Sequence, residues 1–183
     1  MARRIAYIGE PVLTLEQVAF QCRLDPEDTV PELITDLIIP GVTAQAEERT
    51  GAGIQLAEYE EEWPAHYPSG HALDIGQANA IVSISRIQAD GSEQELSVAY
   101  SLRNRGRESF LFFPDGRPVG ELLIRYQAGT DLDVFPSVRT WLLMQAATAH
   151  ENRETLVVGT ILAELPASML DTLLAPITVP PRF

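Results

Sequence analysis

The chain has 183 residues, 45% of them hydrophobic and 21% charged, which is enough for one domain with a substantial core and ordinary for a globular protein. Against 26 acidic residues stand 13 basic ones, every one an arginine, and the net charge of −13 argues against a nucleic-acid-binding surface, because neutralising phosphates needs clustered cations. A single cysteine rules out an internal disulfide, and no apolar run reaches the roughly 18 residues that a membrane-spanning helix needs.

Met1-Ala2-Arg3-Arg4 and the apolar residues Ile5 to Ile8 are too short for a signal peptide, so a soluble product made in the cytoplasm is expected. The first quarter reads as helical. Thr14 and Gln17 form a Thr-x-x-Gln capping box, and Leu15, Val18, Ala19 and Cys22 make one apolar stripe that ends near Leu24 at Asp25-Pro26. Cys22 is expected as a buried, inert thiol. Thr29 and Glu32 predict a second capping box, with Pro31 in the first turn, opening a helix whose apolar face runs through Val30, Leu33, Ile34, Leu37, Ile38 and Val42. Pro40-Gly41 interrupts that face, yet the spacing carries through, which predicts one kinked helix to about Arg49 with Gly51 as its left-handed cap.

From Ile54 to Tyr126 the pattern is β. Glu58, Glu60, Glu61 and Glu62 form an acidic cluster read as a solvated strand, and Ala72 to Ile75 is a short strand. Val82 and Ile84, the Asp90-Gly91 turn, and the alternating Leu96, Val98, Tyr100 and Leu102 describe one hairpin. Phe110 to Phe113, Pro114-Asp115-Gly116 and Val119 to Tyr126 describe another. Between them lies the only dense basic patch, Arg103, Arg105 and Arg107, a solvated loop or a contact with an acidic neighbour or DNA phosphates. Pro136 then opens an alanine-rich helix with Val138, Trp141, Leu142, Gln145 and Ala149 on one face and Asn152, Arg153 and Glu154 at its end. Val157 to Leu162 is apolar, Pro166 starts a short helix carrying Met169, Leu170, Leu173 and Leu174, and a proline-broken tail follows to Phe183. Its apolar Ile177, Val179 and Phe183 either pack back or form an arm for another protein.

Tyr126-x-Ala128-Gly129, an acidic loop, Pro136, the small Ala146 and Ala147, and Glu151-Asn152-Arg153-Glu154 follow one another in an order that resembles the head–tail connector (adaptor) proteins of tailed bacteriophages. A short capped helix and a long one closing on Glu47-Glu48-Arg49-Thr50-Gly51 extend the resemblance over most of the chain; Pro40-Gly41 departs from it. The resemblance implies an α+β fold in one connector domain over 1–183: N-terminal helices at 14–51, an inserted antiparallel β region at 54–126, the alanine-rich helix at 136–154, and a short helix with an extended C-terminal arm at 166–183. It implies a structural virion protein of the neck, assembled in the bacterial host cytoplasm of a phage, prophage or gene transfer agent. A homo-oligomeric ring of about a dozen subunits would join the portal protein to a stopper or tail protein and continue the DNA channel. The arm residues Leu173, Leu174, Ile177, Val179, Arg182 and Phe183 would reach the portal.

The acidic balance suits such a channel, since a negative lumen repels a passing duplex; Glu58, Glu60, Glu61, Glu62, Asp131 and Asp133 are its candidate residues. Another morphogenesis component, a stopper or tail terminator, would be mostly β. A small soluble enzyme is the other alternative. His150-Glu151 lacks the second histidine of a zinc-protease helix, His66 and His71 lie in a broken loop near Glu62, and no nucleophile or phosphate motif is present. No catalytic residue, cofactor, metal or membrane partner is therefore expected.

Overall fold

The structure, a computed structural model, describes residues 1–25, 27, 29–152 and 167–181. These form two compact units interleaved in sequence: a helical unit from Pro11–Thr50 and Asp131–Pro176, and a β unit from Met1–Glu10, Gly51–Thr130 and the tail from Ile177. The chain is thus mixed α+β, as expected.

In the helical unit, α1 (Leu15–Cys22) opens on the expected box: Thr14 Oγ1 accepts from Gln17 N at 3.3 Å and Gln17 Oε1 accepts from Thr14 N at 3.0 Å. Left-handed Arg23, φ 55°, ends it; Pro26 lies outside the described residues. The second box does not form. Thr29 Oγ1 donates back to the Asp25 carbonyl at 2.9 Å, the local alternative open to threonine. Helical backbone then runs unbroken from residue 31 to residue 50, first as a π-helical segment at Leu33–Ile38 and then as α2 (Ile39–Thr50). Pro40 explains the π segment. Its nitrogen donates nothing, and its ring would press on the carbonyl one turn back; widening that turn so that Ile39 N donates to Ile34 O, five residues earlier, lets the helix pass. Gly51, φ 64°, follows α2 as expected.

α3 (Pro136–Glu151) begins with proline in its first turn and buries Val138, Trp141, Leu142 and Ala146; Gln145 is half-buried and Ala149 exposed. It touches α1, α2, the π segment and α4 (Ala167–Leu174), so it is the axis of this unit. Arg49 joins the same packing, pairing with Asp171 at 3.3 Å and lying 5.9 Å from the Trp141 ring centroid. The expectations for Arg153, Glu154, Val157 to Leu162 and Pro166 fall outside the described residues, as do the side chains of Met169 and Leu170.

The β unit holds eight described strands: β1 (Arg3–Tyr7), β2 (Ala57–Trp63), β3 (His71–Ala72), β4 (Ala78–Ile87), β5 (Glu93–Glu95), β6 (Ser101–Arg105), β7 (Glu108–Phe112) and β8 (Leu122–Ala128). One antiparallel sheet has the order β1-β2-β8-β4-β5 and a second the order β3-β7-β6. Trp63, Tyr126, Ile124, Leu122, Ile84, Leu111 and Phe113 fill the core that their inner faces share.

The Asp90-Gly91 hairpin is present, pairing Ser85 with Glu95 and Ile87 with Glu93. Its second strand is shorter than the alternation suggests. After the bond from Leu96 N to Ile84 O at 2.8 Å the chain leaves β4, and from Ser101 it pairs with β7 in the other sheet. The expected hairpin from Phe110 to Tyr126 is not formed, because β7 lies between β3 and β6 while β8 lies between β2 and β4. Arg117 sets this crossing. Its guanidinium donates to the carbonyls of Pro118, Gly120, Trp63 and Pro64 at 2.7, 2.9, 3.3 and 2.9 Å, clamping the loop to the end of β2. β1 is an edge strand with every residue exposed, so no alternation announced it.

The start of the tail is core. Ile177 is fully buried, as is Leu174 in the helical unit, and Val179 leans on Gly76 so closely that a Cβ there would lie 2.7 Å from Val179 Cγ2. Ile177→Ala should therefore cost about 2–5 kcal/mol, whereas Leu37→Ala, 65% exposed, should stay within about 0.5 kcal/mol, both read as shifts in the urea midpoint.

Candidate interaction surface

β2 sorts the acidic cluster by strand alternation. Ala57, Tyr59, Glu61 and Trp63 point inward while Glu58, Glu60 and Glu62 point outward. Glu61 is thus removed from the surface acids: at 2% exposure it lies inside the β unit, and it cannot line a channel. Its carboxylate accepts from Trp63 Nε1 at 2.8 Å, from the Asp74 backbone N at 2.9 Å and from the Tyr126 hydroxyl at 3.0 Å. Burial, and after it the charge of Asp74, hold the Glu61 carboxyl above its ordinary range despite those donors. Burial also raises the Tyr126 phenol, with Glu61 beside it.

On the outer face of the five-stranded sheet, charges alternate across the strands. Arg3 on β1 donates to Glu60 on β2, Arg125 on β8 lies 3.6 Å from the same carboxylate, and Arg125 reaches Glu93 on β5 at 2.9 Å. Glu60 is therefore already countered by two guanidiniums, while Glu62 is exposed and Glu58 half-buried. By register Glu95 shares that face through Ser85 and Leu123. Asp131 accepts from the backbone of Asp133 and Val134 at 2.9 and 3.4 Å, an Asx turn, and Asp133 pairs with Arg139 at 2.8 Å.

The basic patch is the tip of the β6–β7 hairpin, not a link between two hairpins. Arg103, Arg105 and Arg107 are all exposed, and none makes an ion pair with a described residue. Alternation in β7 buries Ser109 and Leu111 and sends half-buried Phe110 and Phe112 to the other face, where Arg103 stands 4.7 Å from the Phe112 ring centroid. Beside β5, where the chain peels away from β4, lies a groove of about 450 Å³ lined by Ile81, Val82, Glu95, Leu96, Val98 and Tyr100.

His71 stacks on Tyr67 at 3.8 Å and meets the edge of Trp63, and His66 meets Tyr67 at 5.0 Å, so these two histidines belong to an aromatic cluster. His150 sits in the last turn of α3. Among the described residues no three of His, Cys, Asp and Glu converge to hold a metal. Of the arm residues, Leu174 and Ile177 are taken by the chain's own cores, Leu173 and Val179 are half-buried, and Arg182 and Phe183 lie outside the described residues. Glu93, Glu95, Arg3 and Arg125 were missed from the sequence; the alternating Glu93-Gln94-Glu95 after the Asp90-Gly91 turn was the available signal for the first two.

No family model and no curated protein matches the sequence. Its fold is nonetheless that of chains in gene transfer agent (GTA) particles. In the virion of the native gene transfer agent particle, a chain 15% identical gives a TM-score of 0.77, with 100% of this chain and 97% of that one covered. A chain of the neck of the empty GTA particle computed with C6 symmetry is 15% identical with a TM-score of 0.74, over the same coverage. A chain of the native neck computed with C12 symmetry is 16% identical with a TM-score of 0.69. The resemblance to head–tail connectors therefore holds at the level of the fold.

Glu61 should make stability pH-dependent. Its raised pKa means that the folded chain holds a proton which the unfolded chain has released, so this contribution is complete below the unfolded value of about 4.3 and lost as pH rises through the folded value. Glu61→Gln cannot titrate. Urea unfolding of variant and wild type should shift in the variant's relative favour between about pH 4 and pH 7, and a pH-independent difference would show an unperturbed carboxyl.

Proposed function

We propose that this chain is a structural protein of a virion neck, a head–tail adaptor whose copies form a ring of about twelve subunits below the portal. The observation that carries the reading is the fold match over the whole chain to necks computed with C6 and C12 symmetry. The particle is a tailed phage, a prophage-derived particle or a gene transfer agent. A stopper or tail terminator would be mostly β, and the α3-centred helical unit speaks against that alternative.

In this role the chain does no chemistry. One end of the ring meets the portal, the other a stopper or tail protein, and double-stranded DNA passes through without specific binding. Glu58, Glu62, Asp131 and Asp133 are the acids we assign to the lumen, where negative charge keeps the duplex from adhering. Glu60 and Asp133 add less, because Arg3 and Arg125 counter the first and Arg139 the second. Portal contact falls to the half-buried Leu173 and Val179 and to Arg182 and Phe183. Assembly takes place in the bacterial cytoplasm.

Native mass spectrometry of the purified chain, alone and with its portal ring, tests the reading. A stoichiometric complex of about twelve chains with the portal is expected. A chain that remains monomeric in both samples sinks it.

A further inference from the structure

Identical chains that each carry a net charge of −13 repel one another over most of their surfaces. A contact that brings a basic patch against an acidic one offsets that repulsion. Several arginines are engaged within the chain: Arg3 and Arg125 with Glu60, Arg49 with Asp171, Arg139 with Asp133, and Arg117 with four carbonyls. The β6–β7 tip is different. Its three guanidiniums are exposed, and an atom built on Gly106 meets nothing within 4 Å, so the space beside the turn is open.

The β5 groove is its chemical complement. Val82, Leu96 and Val98 offer apolar walls for the methylenes of an arginine, the exposed Tyr100 offers a ring face for a guanidinium, and the exposed Glu95 offers a carboxylate for a two-pronged hydrogen bond. A chain cannot fill its own groove with its own tip. β6 carries the tip roughly 16 Å from Tyr100, at about 3.3 Å per residue, and Gln77 Nε2 holds the Gly106 carbonyl at 3.4 Å.

We infer that the Arg105 tip of one copy seats in the Glu95 groove of the next copy. Tip and groove are different surfaces of one chain, so the contact is heterologous, the kind that closes a ring when the rotation per copy is right. The inference rests on the ring reading above and adds which two surfaces meet. It also separates the hairpin from DNA, whose phosphates would seek the same guanidiniums.

Reciprocal charge reversal tests it, because both side chains are exposed and the fold does not depend on them. Arg105→Glu and Glu95→Arg, each alone, should raise the chain concentration at half-assembly by at least about tenfold, read by native mass or sedimentation. The chain carrying both reversals should recover most of the loss, since the pair is restored with its signs exchanged. Wild-type assembly should also weaken as salt rises. Rings untouched by either reversal, or a double variant no better than the singles, would overturn the pairing while leaving the ring reading intact. Duplex DNA binding that Arg105→Glu abolishes with rings unaffected would overturn it in favour of phosphate contact. A wild-type chain that never assembles, with or without the portal, would instead remove the ring reading on which the pairing rests.

Discussion

The buried carboxylate of Glu61 ties together parts of the β unit that are distant in sequence: the end of β2, the backbone at Asp74, and Tyr126 in β8. A charged or strongly polar group taken from water is tolerated only when its lone pairs are met, and here three donors meet them. The arrangement works only if β2 and β8 are paired in one register, Tyr59 opposite Tyr126 and Glu61 opposite Ile124. A slip by one residue would turn Glu61 to water and bring Glu60 and Glu62 into the core. The surface acids therefore owe their outward direction to the buried one.

Charge is distributed by the same logic. The outer sheet face alternates Arg3, Glu60, Arg125 and Glu93, with opposite signs on the neighbouring β1, β2 and β8 and the last pair reaching across β4 to β5. Such exposed pairs add little stability individually. Their larger effect is on what remains: with these arginines engaged, the β6–β7 tip becomes the concentrated positive feature among the described residues, and Glu58, Glu62 and Glu95 are acids of that sheet face outside its ion pairs. The role proposed above, binding copies of itself while a polyanion passes, needs patches of opposite sign in different places.

The helical unit solves a different problem. A proline inside a long helix would break it, but a turn widened to π geometry absorbs the missing donor and the ring clash, so Ile34, Ile38, Ile39, Val42 and Ala46 stay buried on either side of Pro40. α3 needs no such device. Its proline stands in the first turn, where the lost N–H is an orphan anyway, and its small Ala146 sits fully buried in the packing.

By itself the sequence determined what depends on a few neighbouring residues: the Thr14–Gln17 box, the Pro136 start, the continuity of the helix through Pro40, the Asp90-Gly91 turn, and the order of helix, β region and helix that suggested a connector. The inward direction of Glu61 was missed, although Ala57, Tyr59 and Trp63 occupy the same alternate positions. Only the tertiary structure decided which strands pair. β7 and β8 are consecutive and joined by a Pro-Asp-Gly turn, yet Arg117 and the Glu61 network place them in different sheets, and no local pattern encodes bonds between residues that lie more than fifty positions apart. The edge strand β1, which buries nothing, and the tail at Ile177, whose apolar side chain served the chain's own core, were hidden for the same reason: a partner, not a pattern, makes a strand or an arm.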